Sequence, residues 1–323
     1  MRNLIFIFTL LFAGTLSARD QIKIVGSSTV YPFATTVAER FGKTSGFKTP
    51  VVESTGSGGG LKLFCAGLGT KHPDITNTSR RIKQTEIDNC KKNGIKDITE
   101  VKIGYDGIVV ANSKKGVNFH LSTRDLYLAL AKDVPADIEG KTVKPNPYKR
   151  WIEINPTYPD LPIVVYGPPP TSGTRDALNE LAIERGCKSY PERKKLKEKN
   201  KKLYKAECRA IRTDGPYVEA GENDNLIIEK LKTNPNSLGI FGYSFLDENR
   251  DVVKAATVNG VLPDFELISN GTYPVSRSLW FYVKDAHAAV IPGIKEYVKE
   301  FTSERATGDD GYLIQKGLIP LND

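Results

Sequence analysis

The 323-residue sequence is poor in the residues that build catalytic and metal centres. It has three histidines and four cysteines, and no two cysteines form a C-x-x-C pair. Zinc sites favour that close spacing or histidine-rich equivalents. His72, His120 and His287 are scattered along the chain and lie near no cysteine motif. We therefore expect no metal site and no other cofactor.

Nucleotide-binding and nucleophile signatures are also missing. No GxxxxGK[ST] phosphate loop occurs, and the run GSGGG is not followed by GxGxxG spacing. Ser57 lies in TGSGG, which is not the G-x-S-x-G turn of serine hydrolases. The sequence thus disfavours a nucleotide ligand, and we expect a protein that is not an enzyme.

Long apolar runs are confined to the N-terminus. Arg2 precedes the apolar run from Leu4 to Ala13, and small residues follow from Gly14 to Ala18. This order is typical of a cleaved secretory signal, and the run is shorter than the about 20 residues that span a bilayer. We predict a signal peptide over residues 1–18 and export to the periplasm.

The four cysteines fall into two local pairs, Cys65 with Cys90 and Cys187 with Cys208. In an exported protein such pairs indicate disulfides. Each would close a loop of about two dozen residues and contribute about 3 kcal/mol by the loop-entropy relation.

The net charge is +8, and much of the excess lies between Lys188 and Arg212. Clustered lysines can neutralise nucleic-acid phosphates, but no series of aromatic residues accompanies them. We expect a solvated helical hairpin or loop and no nucleic-acid partner, with a general positive field that attracts anions.

Strand-like and helical segments alternate along the chain, which indicates α/β lobes with mainly parallel sheets. A mature chain of about 300 residues exceeds one ordinary core, so two lobes are expected. Long β-type runs at 101–112 and 273–283 suit paired crossovers between lobes. We predict lobe 1 over residues 19–104 and 275–323, and lobe 2 over residues 105–274.

Three segments repeat one design, a strand, a Ser/Thr/Gly turn and a helix: GSST at 26–29, TGSGGG at 55–60 and TSGT at 171–174. In the second, we expect the helix to begin at Leu61. A helix start offers free backbone N–H groups and partial positive charge, and glycine lets the backbone approach a ligand closely. Each turn could be an ordinary helix cap, but three together predict an oxyanion site.

An ordered set of longer runs resembles one family. The chain is similar to the phosphate-binding proteins of bacterial phosphate ABC transporters over nearly all of its mature length. The runs that carry the resemblance are VGSSTVYPF at 25–33, TGSGGGLKLF at 55–64, DITNTSRRI at 74–82, SGTRDAL at 172–178, EAGENDNLI at 219–227 and LGIFGYSFL at 238–246.

This resemblance implies the periplasmic binding protein type II fold, in which two α/β lobes on a two-strand hinge close over the ligand. It also implies ligand contacts from each of the three turns. Carried over by position, these fall on Ser28, Thr29, Ser57, Ser172, Gly173 and Thr174.

The sequence departs from the family pattern at two positions. Ser79 stands where family members have an aspartate that accepts the phosphate proton, and Pro168 stands where many relatives have an arginine. Asp106 and Asp224 are possible substitute acceptors, and Ser79 itself can accept a hydrogen bond.

The missing arginine requires another cation. We predict Arg80 and Arg175, because a guanidinium can bind phosphate through two hydrogen bonds, although either could instead form a structural salt bridge.

The resemblance implies a monomeric binding protein that delivers inorganic phosphate to the membrane permease of an ABC importer. Alternatives are a receptor for sulfate or molybdate, an exported phosphatase-like hydrolase, and a surface protein with a vestigial cleft.

Overall fold

The computed structural model describes residues 19–221 and 224–321. The predicted signal peptide, residues 1–18, lies outside this part. Within the two described ranges, no helix combines the length and the hydrophobicity needed to cross a membrane.

Strands and helices alternate over most of the described chain. The strands are β1 (Lys23–Gly26), β2 (Val51–Ser54), β3 (Ile75–Thr78), β4 (Ile98–Ser113), β5 (His120–Leu121), β6 (Asp133–Pro135), β7 (Val143–Pro145), β8 (Val165–Gly167), β9 (Tyr217–Glu219), β10 (Leu238–Gly242), β11 (Val253–Ala255), β12 (Thr257–Val258) and β13 (Ser276–Lys284).

The helices are α1 (Tyr31–Thr44), α2 (Ser57–Phe64), α3 (Gln84–Lys92), α4 (Thr123–Leu130), α5 (Trp151–Ile154), α6 (Gly173–Leu178), α7 (Glu184–Cys187), α8 (Pro191–Lys199), α9 (Lys201–Cys208), α10 (Asp224–Thr233), α11 (Tyr243–Glu248), α12 (Phe265–Ser269), α13 (Asp285–Ala288), α14 (Ile294–Phe301) and α15 (Glu304–Thr307). A π-helical segment, Asn179–Ile183, joins α6 to α7, and Ile314–Lys316 is a 3-10 turn.

One large sheet has the strand order β2-β1-β3-β13-β4-β10-β8-β9, with β11 also paired to β4. Pairing is parallel on both outer sides, between β1 and its neighbours and between β8 and its neighbours. The central pair, β4 and β13, is antiparallel. The predicted α/β class and the two long β-runs are confirmed.

The sheet carries two large apolar cores. The first contains residues of β1, α1 and α14, and the second contains residues of α4, α10 and β10. Strand β4 contributes to both, with Ile103 in the first core and Ile108 to Ala111 in the second. Strand β4 therefore runs from one core to the other, and β13 enters the first core directly after Tyr273 and Val275 of the second.

Both predicted disulfides are present, Cys65–Cys90 and Cys187–Cys208. The first lies in a small apolar cluster with Phe64 and Tyr282. The second joins the end of α7 to the end of α9, so it closes the chain around α8 and α9.

Helix α2 begins earlier than the sequence predicts, at Ser57 and not at Leu61. Gly60 lies against β1, where a Cβ atom would come 2.5 Å from the Cα of Gly26. Gly60 therefore lets α2 approach the sheet closely, despite the low helix propensity of glycine.

Candidate anion-binding site

The turn after β1 presents Ser28 and Thr29. Gly26 has φ of 136°, and a Cβ atom there would lie 2.1 Å from the carbonyl oxygen of Asn77. Only glycine fits this close approach to β3. The Ser27 carbonyl accepts a hydrogen bond from the Tyr31 N–H (3.0 Å), so α1 begins directly after the turn.

The second turn meets the end of β3 through two serines. The Ser57 hydroxyl accepts a hydrogen bond from the backbone N–H of Ser79 (3.1 Å), and the two hydroxyl oxygens lie 3.2 Å apart. Parallel pairing of β1 with β2 and β3 brings the carboxyl ends of these strands to one edge of the sheet. The turns that follow them therefore converge.

The third turn meets the first and also caps a helix. The Ser172 side chain accepts a hydrogen bond from the Thr174 N–H (3.2 Å) and caps α6. A Cβ atom at Gly173 would lie 3.0 Å from the Cα of Thr29. The Ser172–Thr174 turn thus packs against the Ser28–Thr29 turn.

Two cavities open on either side of this contact, and Ser28 and Thr29 line both. The Ser57 cavity, of about 530 Å³, is lined by Ser27, Ser28, Thr29, Thr55, Gly56, Ser57, Gly58, Gly59, Ser79, Arg80, Lys83, Glu86, Asp176, Glu180, Glu184, Lys197, Lys201, Tyr204, Lys205, Arg209 and Arg277. The Ser172 cavity, of about 620 Å³, has as its polar lining Ser28, Thr29, Asp106, Thr171, Ser172, Thr174, Asp224, Asn225, Gln315 and Lys316.

Arg277, on β13, is a cation at this site that sequence reasoning missed. Its side chain is 7% exposed. Its guanidinium donates hydrogen bonds to the hydroxyls of Thr29 and Ser79, the latter at 3.2 Å. It also contacts the carboxylates of Asp106 (3.2 Å) and Glu180 (3.1 Å). The guanidinium thus joins two of the predicted ligand residues.

Asp106, on β4, is the cross-strand partner of Arg277. Burial raises the pKa of the Asp106 carboxyl, and the nearby charge of Arg277 only partly opposes this. Asp106 lines the Ser172 cavity and not the Ser57 cavity. Asp106 therefore adds its negative charge to the lining of the Ser172 cavity, while its carboxylate stays paired with Arg277.

Arg80 lines the Ser57 cavity but is held by a carboxylate. Its two terminal nitrogens donate to the two oxygens of Glu86 at 2.9 and 2.7 Å. This pairing raises the pKa of Arg80. For Glu86, burial acts to raise the pKa, but hydrogen bonds from Arg80 and the Lys83 backbone lower it overall. Both groups stay charged near neutral pH.

Within the described part of the chain, Arg175 does not line either cavity. Its guanidinium donates to the carbonyl of Pro168 (3.0 Å) and stacks over the ring of Tyr217 at 4.4 Å. The Tyr217 hydroxyl donates to the same carbonyl (2.7 Å). Arg175 therefore supports the segment leading into the Ser172 turn.

The other predicted acceptor, Asp224, is buried and lines the Ser172 cavity, where it accepts a hydrogen bond from the Gly242 N–H (3.1 Å). Across residues 19–221 and 224–321, no three or more His, Cys, Asp or Glu side chains are grouped to hold a metal ion.

The basic segment also contributes to the site. The sequence predicts it as a solvated hairpin, and α8 and α9 do form one. However, Lys197, Lys201 and Lys205 of this hairpin line the Ser57 cavity.

Comparisons with known proteins agree with this architecture. Residues 13–305 match the family model described as the PBP superfamily domain. The chain is 32% identical to Protein SphX of Synechococcus elongatus, over 94% of this chain and 78% of that protein. It is 27% identical to the phosphate-binding protein PstS of Staphylococcus saprophyticus, over 86% and 75% of the two chains.

Among solved structures, the chain is similar to a possible phosphate binding protein from Planctomyces limnophilus. The TM-score is 0.73 and the identity 26%, over 95% of this chain and 94% of the other. With the family model matched over most of its length, the chain belongs to the PBP superfamily.

Proposed function

We propose that this protein is an extracytoplasmic receptor that captures inorganic phosphate and delivers it to the membrane permease of an ABC importer. The observation that carries the proposal is the contact of the Arg277 guanidinium with the Thr29 and Ser79 hydroxyls. A buried guanidinium beside hydroxyl donors suits a tetrahedral oxyanion. The relatives named as phosphate-binding proteins support phosphate as that anion.

In this proposal the principal contacts come from the Ser57 side of the cleft. They are the hydroxyls of Ser28, Thr29, Ser57 and Ser79 and the N–H groups of Ser28, Thr29 and Ser57, with Arg80 and Arg277 as cations. The Ser172–Thr174 turn, including Gly173, contributes a smaller share, because it lines the Ser172 cavity and not the more positively charged Ser57 cavity. Arg175 acts as a positioning residue through the Pro168 carbonyl.

We further propose that residues 19–104 with 275–323 and residues 105–274 act as two lobes that close on the ligand. Strand β4, which runs through both cores, and its antiparallel partner β13 would form the hinge. The mature protein would be a periplasmic monomer, released from its signal peptide after export.

Selectivity for phosphate over sulfate requires an acceptor for the proton that only phosphate keeps near neutral pH. Glu180 lines the Ser57 cavity and lies 3.1 Å from Arg277. We propose that its carboxylate, rather than that of Asp106, accepts this proton bond and repels sulfate.

Calorimetric titration of the mature protein with phosphate, sulfate and molybdate at neutral pH tests the proposal. We expect phosphate binding that excess sulfate leaves largely unchanged. Competition by sulfate or molybdate would identify a general oxyanion receptor, and the absence of binding by any of the three would overturn the proposal.

We also propose that no chemical step occurs on the bound anion. The Ser57 hydroxyl lies against Ser79, with no histidine among the residues that line the Ser57 cavity. An aryl phosphate incubated with the protein should not be hydrolysed, and hydrolysis that disappears in Ser57→Ala would contradict this.

A further inference from the structure

The Ser57 cavity has a second group of cations on the hairpin α8–α9. Lys197 lies on α8, and Lys201 and Lys205 lie on α9. Residues four apart in a helix share a face, so Lys201 and Lys205 point in a common direction, toward this cavity.

The hairpin is fixed at the cavity and is not a free arm. The Cys187–Cys208 disulfide closes its base. Glu184, which is buried at this base, accepts hydrogen bonds from Tyr204 (3.1 Å) and Arg209 (2.5 Å). Burial acts to raise the pKa of Glu184, but the hydrogen bond from Lys188 and the charge of Arg209 outweigh it and lower the pKa to about 2. The anchoring charge therefore persists across the physiological pH range.

The charge of the cavity exceeds what its own carboxylates neutralise. Seven cationic and four acidic side chains line it, an excess of three positive charges. Lys197 contacts Glu184 at 3.1 Å. Among the described residues, neither Lys201 nor Lys205 has a carboxylate within 4.0 Å. Both ammonium groups are available to an anion.

The cavity is also larger than orthophosphate requires. Its volume is about 530 Å³. A water molecule has a share of about 30 Å³ in the liquid, and an orthophosphate ion is equivalent to roughly two or three such shares. Most of the cavity would remain open beside an orthophosphate held at Arg277.

We infer that Lys197, Lys201 and Lys205 form a second anion subsite, so that the cavity binds ligands with two phosphate groups. The inference rests on the proposed function, since the first phosphate would occupy the site at Arg277. Two sources share this chemistry: condensed inorganic phosphate such as pyrophosphate, and an organic bisphosphate. A second phosphate placed among three ammonium groups gains charge-assisted hydrogen bonds that orthophosphate cannot make.

The test is calorimetric titration of the mature protein with orthophosphate, pyrophosphate and fructose 1,6-bisphosphate at constant ionic strength. The variant K197Q/K201Q/K205Q removes the subsite. The matched control K194Q/K199Q/K202Q removes the same charge from exposed positions of the same hairpin that do not line the cavity. Thermal unfolding of both variants checks that the fold is kept.

We expect at least one of the two-phosphate ligands to bind about tenfold more tightly than orthophosphate, as one added charge-assisted contact allows. The subsite variant should lose this preference, with a much larger loss of affinity for the two-phosphate ligand than for orthophosphate, and the control should keep the preference. The ligand that shows the preference identifies the source.

Equal losses in the two variants, or no preference for either two-phosphate ligand, would overturn the inference while leaving orthophosphate capture intact. Failure of all three ligands to bind would instead contradict the proposed function.

Discussion

The two cavities share Ser28 and Thr29 but differ in charge. The Ser57 cavity has an excess of three positive charges in its lining, whereas Asp106, Asp224 and Lys316 leave the Ser172 cavity with one net negative charge. Hydroxyls and helix starts occur in both. The difference teaches that hydroxyl-rich turns alone do not define an anion site, because the surrounding charges decide which side of the contact attracts the ion.

The largest effect should come from removing the buried cation. Arg277→Gln should weaken phosphate binding about 100-fold, since charge-assisted hydrogen bonds contribute roughly 1.5–3 kcal/mol. Arg277→Lys should bind with intermediate affinity, because it keeps the charge and loses the forked geometry. Calorimetry measures both affinities.

Arg81→Gln is the matched control, since Arg81 is 71% exposed, pairs with Glu100 and does not line either cavity. Equal phosphate affinities of the Arg277→Gln and Arg81→Gln proteins would contradict the role of Arg277 in binding.

Removing one hydroxyl from each cavity should have unequal effects. Ser57→Ala should weaken phosphate binding about tenfold, the usual cost of one hydrogen bond to a charged group. Ser172→Ala should weaken binding only about threefold and should mainly cost about 1 kcal/mol of stability as a lost helix cap. Titration and thermal unfolding separate the two, and a larger binding loss in Ser172→Ala would assign the ligand to the other cavity.

Removing the Glu180 carboxylate should increase the difference in charge between the Ser57 cavity and the Ser172 cavity. Glu180→Gln should raise sulfate affinity about fivefold, a modest gain because Glu180 is 45% exposed and its charge is screened by solvent. Phosphate affinity should change less, because the lost repulsion is offset by the lost proton acceptor. Asp176→Asn, which removes an equal charge from the same lining without contacting Arg277, is the control. A larger sulfate gain in that control would contradict the role of Glu180.

The smallest effect concerns the pH dependence of stability on the Ser172 side. Because burial raises the pKa of Asp106, its favourable contribution is complete below its ordinary pKa of 3.8 and is lost as the pH rises through the raised value. The unfolding free energy of Asp106→Asn, relative to the native protein, should therefore increase as the pH rises. Denaturant titrations across acidic to neutral pH measure it, and a relative stability that falls with pH would contradict the burial effect.

Local patterns were sufficient to predict the α/β class, the three strand–turn–helix segments and the cysteine pairs, because each depends on residues close together in sequence. Arg277 could not be found this way. It meets Asp106 across a separation of 171 residues, through the register of β13 on β4. A usable signal was present, since Asp106 and Arg277 are oppositely charged residues within the two long β-runs at 101–112 and 273–283.

The basic hairpin shows a second limit of sequence reasoning. A lysine-rich helix face has the same pattern whether it faces bulk solvent or a water-filled cavity. Only the packing of Glu184 and the position of the Cys187–Cys208 disulfide direct Lys201 and Lys205 toward the cleft. The hairpin itself was predicted correctly, but the direction in which its lysines point depends on tertiary contacts.

The position of Arg277 opposite Asp106, on the strand shared by both cores, has a kinetic consequence. If the proposed lobes separate about β4 and β13, the Ser172 turn would move away from the Ser28 and Ser57 turns, while Arg277 and Asp106 would stay paired across the two strands. The open form would thus already present its central charge to an arriving ion. Electrostatic attraction to Arg277 would then determine how fast the ion arrives. Closure of the hydroxyl turns around the ion would determine how long it stays bound.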